Sequence, residues 1–355
     1  MIDSLPVLAL CGFSGSGKTT LILKLLDYLC KERKLSVAIL KNDVHGLNID
    51  CPGKDTDRFF QAGADVYARG PKQSFQRAHP RAKQDFFYRL RDLADQYDFV
   101  LVEGHKSIDL PKVWLLSENE AAPPEGIERV LTVLPRDSNR MQGVLPILKA
   151  RIRETHDRAP VVGCVLIGGK SRRMGQPKHL LMRDQKTWLA HTVERLMEVC
   201  SDVVICGPGE IPETLSHHPR LPDPPDVKGP LAGILSAMRW RPSTRWLVTA
   251  CDLPHLSVEA LNWLLNQSMP GIWGVVPQLV GSPGLEPLLA YYDGRCRRLF
   301  EILVAQGNYC PLPVTEHDRV LTPTVPSALA AAWENANTPD ALRRVERADN
   351  IDTST

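Results

Sequence analysis

The sequence has no excess of charge of one sign: 43 Lys and Arg stand against 41 Asp and Glu, a formal net charge of +2. Such a balance sets up no strong field toward nucleic acid or an acidic membrane surface, and neither is expected as a partner. Paired cysteines are also missing. Nine cysteines lie at 11, 30, 51, 164, 200, 206, 251, 296 and 310, and the absence of CxxC spacing excludes a zinc ribbon or a redox dithiol. Their odd number and mostly apolar surroundings predict reduced thiols acting as small core residues. No apolar run reaches the length of a membrane span, and acidic Asp3 stands where a signal peptide carries basic residues, so the expected location is the cytoplasm. There are no internal repeats and no low-complexity blocks. At 355 residues, 43% hydrophobic and 24% charged, the chain is expected to form two globular domains of ordinary size.

One pattern occurs twice: a short apolar strand, a glycine loop, then a helix. It opens at Val7–Leu10 before Gly12 and again at Val161–Ile167 before Gly168. Two such openings half a chain apart predict an α/β protein of two doubly wound domains. Between them Met141–Arg153 reads as a helix with Val144, Leu145, Ile147, Leu148 and Ile152 as its apolar stripe. The polar segment Glu154–Arg158 and Pro160 separate it from the next strand, which places the boundary near residue 158 and the domains at 1–158 and 159–355.

In the first domain Gly12-Phe-Ser-Gly-Ser-Gly-Lys-Thr19 satisfies the P-loop pattern, with a strand before and a helix after. The backbone N–H groups of Gly12, Gly15 and Gly17 with the helix N-terminus make a phosphate cradle. Lys18 is expected to reach the β- and γ-phosphates, Thr19 to place its hydroxyl on Mg²⁺, and Thr20 to complete the cradle. The strand Phe99–Glu103 ends in a carboxylate at the edge where open α/β sheets bind ligands, so Glu103 is a second candidate for the nucleotide and its metal. Asp98, at the opposite end, reads as a solvated cap, and His45 as a surface loop histidine.

The segments GFSGSGKTT, Lys41–His45, PGKDT, Ala62-Gly-Ala64, Val102-Glu-Gly104 with Lys106, and Pro111-Lys112 occur in one order over residues 5–135. In this the chain resembles the molybdopterin-guanine dinucleotide biosynthesis adaptor proteins (MobB type). The resemblance implies a P-loop NTPase-like domain that binds GTP, hydrolyses it weakly, dimerises and assists a partner enzyme.

In the second domain Leu166-Ile-Gly-Gly-Lys-Ser-Arg-Arg-Met-Gly-Gln-Pro-Lys178 follows a strand. Its glycines let backbone approach a triphosphate, and Lys170, Arg172, Arg173 and Lys178 supply the cations that a leaving pyrophosphate needs. Nucleotidyl transfer also calls for a metal, and Asp252, after the strand Trp246–Ala250, is the best carboxylate to hold it. Asp223 or Asp226, before Gly229-Pro-Leu-Ala-Gly233, comes next. The order GGKSRRMG…K, GPLAG, CDLP, EPLLA and Asn335-Ala-Asn337-Thr-Pro339 is similar to the molybdenum cofactor guanylyltransferases (MobA type) over 161 to about 345. Carried over by position, Leu166, Gly168, Gly169 and Lys178 belong to the nucleotide loop. Asp223 corresponds to a nucleotide-contacting acid, Asp252 to the magnesium aspartate, and Asn335 and Asn337 to the pterin side. Cys206 stands where an asparagine contacts the base.

Together the resemblances imply an adaptor fused to a Rossmann-like nucleotidyltransferase. Its substrates would be GTP and molybdenum-bound molybdopterin, its metal Mg²⁺, and its partners the proteins of molybdenum insertion and molybdoenzyme maturation. A cytidylyl or sugar-phosphate nucleotidyltransferase remains an alternative, as does a GTP-switched cofactor carrier or insertion chaperone. The Gly168-Gly169 pair leans toward guanine by resemblance, and the intact Lys178 and Asp252 lean against a mere carrier.

Overall fold

The structure, a computed structural model, describes residues 5–43, 46–79, 85–168, 177–281 and 284–336. It divides into two compact units, Met1–Arg151 and Ile152–Thr355.

The first unit opens on β1 (Val7–Cys11), whose five apolar residues are all buried. A strand with no polar face must be covered on both sides, which is how parallel sheets are built. After it come α1 (Lys18–Leu26), prolonged by a π-helical stretch over Asp27–Glu32, then β2 (Val37–Lys41) and α2 (Asp55–Gln61). A hairpin of β3 (Val66–Arg69) and β4 (Ser74–Arg77) follows, then α3 (Asp85–Ala94), β5 (Phe99–Glu103), β6 (Lys112–Leu115), β7 (Val130–Leu134) and α4 (Arg140–Arg158), whose residues from Ile152 on fall in the second unit. The main sheet has the order β2-β5-β1-β6-β7 and is parallel throughout. On one of its faces Val7, Ala9 and Cys11 pack with Val100, Val102, Leu90 and Trp114.

The second unit continues with β8 (Val161–Leu166), a 3₁₀ turn at Lys178–Leu180, a hairpin of β9 (Met182–Arg183) and β10 (Lys186–Thr187), α5 (Trp188–Met197), β11 (Asp202–Cys206) and β12 (Arg220–Leu221). Then come α6 (Pro230–Trp240), β13 (Arg245–Ala250), α7 (Val258–Gln267), β14 (Gly274–Val275), β15 (Leu289–Asp293), α8 (Cys296–Ala305) and β16 (Val320–Leu321). Its seven-stranded sheet has the order β12-β11-β8-β13-β15-β14-β16. The first four strands are parallel, and β15 runs against both β13 and β14. Alternation along β8 feeds two cores, Val162 and Cys164 on one face and Val165 on the other.

Both units have the doubly wound α/β layout expected, and three local expectations are corrected. The polar segment Glu154–Arg158 is the end of α4, not a break after it. Glu, His, Asp and Arg all tolerate helix, and only Pro160 stops the chain. Asp98 is buried, not solvated, and accepts hydrogen bonds from the backbone N–H (2.8 Å) and hydroxyl (2.9 Å) of Ser36. Six cysteines fill core space as expected, but Cys30, Cys51 and Cys310 are exposed. Among the described residues no helix is long and apolar enough to cross a membrane.

The last turn of α4 carries a titratable group with a readable effect. His156 lies 3.4 Å from the Arg245 guanidinium. Burial first, and then this cation, push its pKa down to about 4 from an ordinary 6.5. Above pH 6.5 the ring is neutral in both folded and unfolded chains and contributes nothing. Below it the unfolded chain takes up the proton first, so stability falls between pH 6.5 and 4, by up to roughly 3 kcal/mol. Urea unfolding of His156→Gln at pH 7 and pH 4.5 should show a smaller acid loss than the parent chain; an equal loss would remove His156 as a cause.

Candidate functional site

In the first unit the register pairs Leu10 of β1 and Lys41 of β2 with Glu103 of β5, so the three strands end within one residue of the same rung. The loop after β1 turns there on Gly15 (φ 74°) and Gly17 (φ 85°), in left-handed conformations that favour glycine. Gly12 is needed for closeness, since a Cβ would lie 2.5 Å from the Leu115 carbonyl oxygen and 2.6 Å from Ser16 Oγ. Lys18 Nζ donates to the carbonyls of Gly12 (3.2 Å) and Phe13 (2.8 Å), folded onto its own loop. Burial lowers the Lys18 pKa and the Glu103 carboxylate opposes that. Thr19 Oγ1 donates to Glu103 Oε1 at 3.2 Å, so the hydroxyl and carboxylate proposed as metal ligands adjoin. Beside the loop lies a cavity of about 300 Å³ lined by Gly15, Gly17, Thr20, Lys24, Ser138 and Asn139, among others.

In the second unit Leu166 of β8 is level with Cys206 of β11 and Ala250 of β13, and Cys206 with Leu221 of β12. Gly168, Gly207, Asp223 and Asp252 therefore leave the sheet at one edge, which is the ligand-binding edge of open α/β sheets. A Cβ on Gly207 would lie 2.0 Å from the Ile167 carbonyl oxygen, and Gly207 has φ 114°. The GPLAG glycines have separate tasks. Gly229 caps α6 at φ 64°, ahead of Pro230 in the first turn. Gly233 brings the helix against the strands, because a Cβ there would meet Leu166 at 2.5 Å and Cys206 at 3.1 Å.

At this edge Lys178 Nζ pairs with Asp252 Oδ2 at 2.9 Å. The other oxygen, Asp252 Oδ1, is buried with no hydrogen-bond partner among the described residues. A buried orphan carboxylate oxygen is costly unless a cation or its water satisfies it, and the residue fits a Mg²⁺ ligand on that ground. No group of three or more His, Cys, Asp or Glu gathers as a metal cage among the described residues. Mg²⁺ commonly needs only one or two carboxylates, with water and phosphate oxygens supplying the rest. Ala336 N donates to the Asp252 carbonyl at 3.1 Å, which brings exposed Asn335 beside the loop. Asp223 follows edge strand β12, and burial raises its pKa. Asp226 is engaged instead with Arg239 (3.5 Å), which also holds Glu301. Cys206 is buried, its Sγ 3.6 Å from that of Cys164, so its side chain serves the core. Gly169, Lys170, Arg172, Arg173, Asn337 and His45 lie outside the described residues.

Three positioning residues had no sequence signal beyond their type. Arg140 donates from its guanidinium to the carbonyls of Ser16, Leu116, Leu134 and Pro135, pinning the P-loop to the ends of β6 and β7. His179 is buried, its Nε2 2.8 Å from the Glu210 carbonyl, and holds the loop after β11. Arg183 donates to the Pro254 carbonyl, two residues past Asp252.

Glycine-led loops with Lys178 and Asp252 at parallel strand ends give the second unit, which follows the P-loop unit in sequence, the layout of a nucleotidyltransferase. The family description "MobA-like NTP transferase domain" matches residues 163–320, and "Molybdopterin guanine dinucleotide synthesis protein B" (MobB) matches residues 7–134. A "Probable molybdenum cofactor guanylyltransferase" of Bacillus mycoides is 32% identical over 149 residues, covering 41% of this chain and 74% of that protein. A "Molybdenum cofactor biosynthesis bifunctional protein" of Synechocystis is 29% identical over 170 residues, 47% of this chain and 48% of that one. A solved molybdopterin-guanine dinucleotide biosynthesis protein A from Archaeoglobus fulgidus is 26% identical, with a TM-score of 0.45, over 54% of this chain and 99% of that one. The chain belongs to the molybdenum cofactor guanylyltransferase family, with a MobB domain fused ahead of the transferase.

Arg140 offers a direct test of how the first loop is held. Its removal leaves partly buried carbonyls without their donor, a loss of roughly 2 kcal/mol. Arg140→Ala should weaken triphosphate binding at the first unit by about tenfold or more while the chain stays folded, with Lys18→Ala as the reference. Unchanged nucleotide binding in both variants would sink the P-loop reading.

Proposed function

We propose that the second unit transfers GMP from GTP to the terminal phosphate of molybdenum-bound molybdopterin, forming molybdopterin guanine dinucleotide. A phosphate oxygen of the pterin attacks the α-phosphorus, the bond from the α-phosphorus to the bridging oxygen breaks, and pyrophosphate leaves with that electron pair. The nucleophile belongs to the substrate, so no side chain needs to be activated. The observation that carries the reading is the Lys178–Asp252 pair with an orphan carboxylate oxygen at the strand edge. Family membership supplies the substrates.

In this reading Lys178, Lys170, Arg172 and Arg173 hold the triphosphate and take up the charge that grows on the leaving pyrophosphate. Leu166, Gly168 and Gly169 bring backbone to the nucleotide, Asp223 contacts it, and Asn335 and Asn337 face the pterin. Asp252 would hold Mg²⁺, which supplies charge neutralisation where two polyanions meet. The first unit binds GTP through Gly12, Gly15, Gly17, Lys18, Thr19 and Thr20, with Thr19 and Glu103 as its metal ligands. We assign the two functions to either side of residue 158, with the adaptor serving transfer and onward passage to molybdoenzyme-maturation proteins.

Incubation of the full chain with molybdopterin, molybdate and each of the four nucleoside triphosphates identifies the dinucleotide; a cytosine product would overturn the guanine assignment. Asp252→Asn keeps the side-chain shape and loses the charge, and turnover should drop about a hundredfold to a thousandfold. Added Mg²⁺ should restore part of it. Asp226→Asn should be much milder, because that carboxylate is exposed and engaged with Arg239. Near-normal turnover of Asp252→Asn at limiting Mg²⁺ would remove this aspartate from the mechanism.

A further inference from the structure

Beyond β5 the chain takes an uncommon path. Gly104 (φ 85°) and His105 (φ 56°) are both left-handed, and for a histidine this conformation is unfavourable unless its surroundings enforce it. Those surroundings are present: the His105 ring lies against Phe86, with centroids 4.2 Å apart. Lys112, 1% exposed on β6, donates from its ammonium to the carbonyls of Lys106 (2.9 Å) and Ile108 (2.8 Å). The double left-handed turn sends Lys106 back toward the P-loop. Its Nζ sits 3.9 Å from the ring centroid of Phe13, the residue after Gly12, and 5.7 Å from that of Trp114.

Lys106 is thus a further cation at the phosphate loop, beside Lys18 and Arg140, three residues past the carboxylate that meets Thr19. The P-loop sequence itself accounts for only one cation, Lys18, which is bonded to the loop's own carbonyls. An ammonium resting on an aromatic face is held by the ring quadrupole, a weaker grip than a charge-assisted hydrogen bond to a phosphate oxygen. An arriving terminal phosphate therefore wins Lys106 from Phe13. Glu103 and Thr19, as proposed metal ligands, would stand at the end of the cradle that takes the outermost phosphate, and Lys106 lies in the loop that follows Glu103.

We propose that Lys106 reads the γ-phosphate of the nucleotide in the first unit, so that this site distinguishes a nucleoside triphosphate from a diphosphate. The inference rests on the reading of that unit as a GTP site. The strained Gly104-His105 turn and buried Lys112 are the devices that aim it, and Phe13 parks the ammonium when no phosphate is bound.

The test uses the full chain. Photolabelling with azido-GTP is competed with GTP or GDP, and label is measured on peptides of residues 5–134 so that the second unit does not contribute. In the parent chain GTP should compete about tenfold better than GDP, the worth of one charge-assisted contact. Lys106→Met should abolish that preference by raising the GTP midpoint alone, and Lys106→Arg should keep most of it. An unchanged GTP-to-GDP ratio in Lys106→Met overturns the inference and leaves the GTP site standing. Should Lys106→Met lose both nucleotides, Lys106→Arg decides, with a preserved preference in favour and a lost one against. A parent chain labelled nowhere in residues 5–134 overturns the GTP site and this inference together.

Discussion

A loop or helix can close tightly onto the ends of its own sheet only if no side chain stands in the way, and both units are organised around that closeness. In the first, Gly12 leaves room for the Leu115 carbonyl; in the second, Gly207 does the same for Ile167, and Gly233 lets α6 settle onto Leu166 and Cys206. Everything else at these edges follows from the backbone path so fixed. The cations and carboxylates act from loops whose positions the glycines allow and whose carbonyls Arg140, His179 and Arg183 hold in place.

The two phosphate loops also meet their anions with their charges already engaged. Lys18 bonds to the carbonyls of its own loop, and Lys178 to Asp252. A lysine held this way is ordered before the ligand arrives, so less side-chain freedom is lost on binding. For Lys18 the attraction given up is smaller than the one gained, because a triphosphate carries several charges where a carbonyl carries only part of one.

How much of this was legible in the sequence depended on the kind of residue. Glycine patterns such as GFSGSGKT and the Gly168-Gly169 pair announce a backbone requirement directly, and the strands before them showed as apolar runs, so the fold could be read. Asp98 could not, because a carboxylate at a strand end looks the same whether water or Ser36 satisfies it. The end of α4 was hidden for a related reason: polar residues permit both helix and loop, and the difference lies in tertiary contacts such as Arg245 with the Ala159 carbonyl. Arg140, His179 and Arg183 act on carbonyls far away in sequence, which spacing alone does not reveal.

The Lys178–Asp252 pair has a consequence for the order in which the second site fills. The Asp252 carboxylate faces the Lys178 ammonium, so a divalent ion held there, as proposed, would have to compete with a tethered cation. In that reading a nucleotide would change both terms at once, drawing Lys178 onto its phosphates and bringing oxygens of its own to share the ion. Metal and nucleotide would then enter as one complex, and the magnesium dependence of the proposed transfer would be set by the triphosphate that escorts the ion rather than by the protein alone.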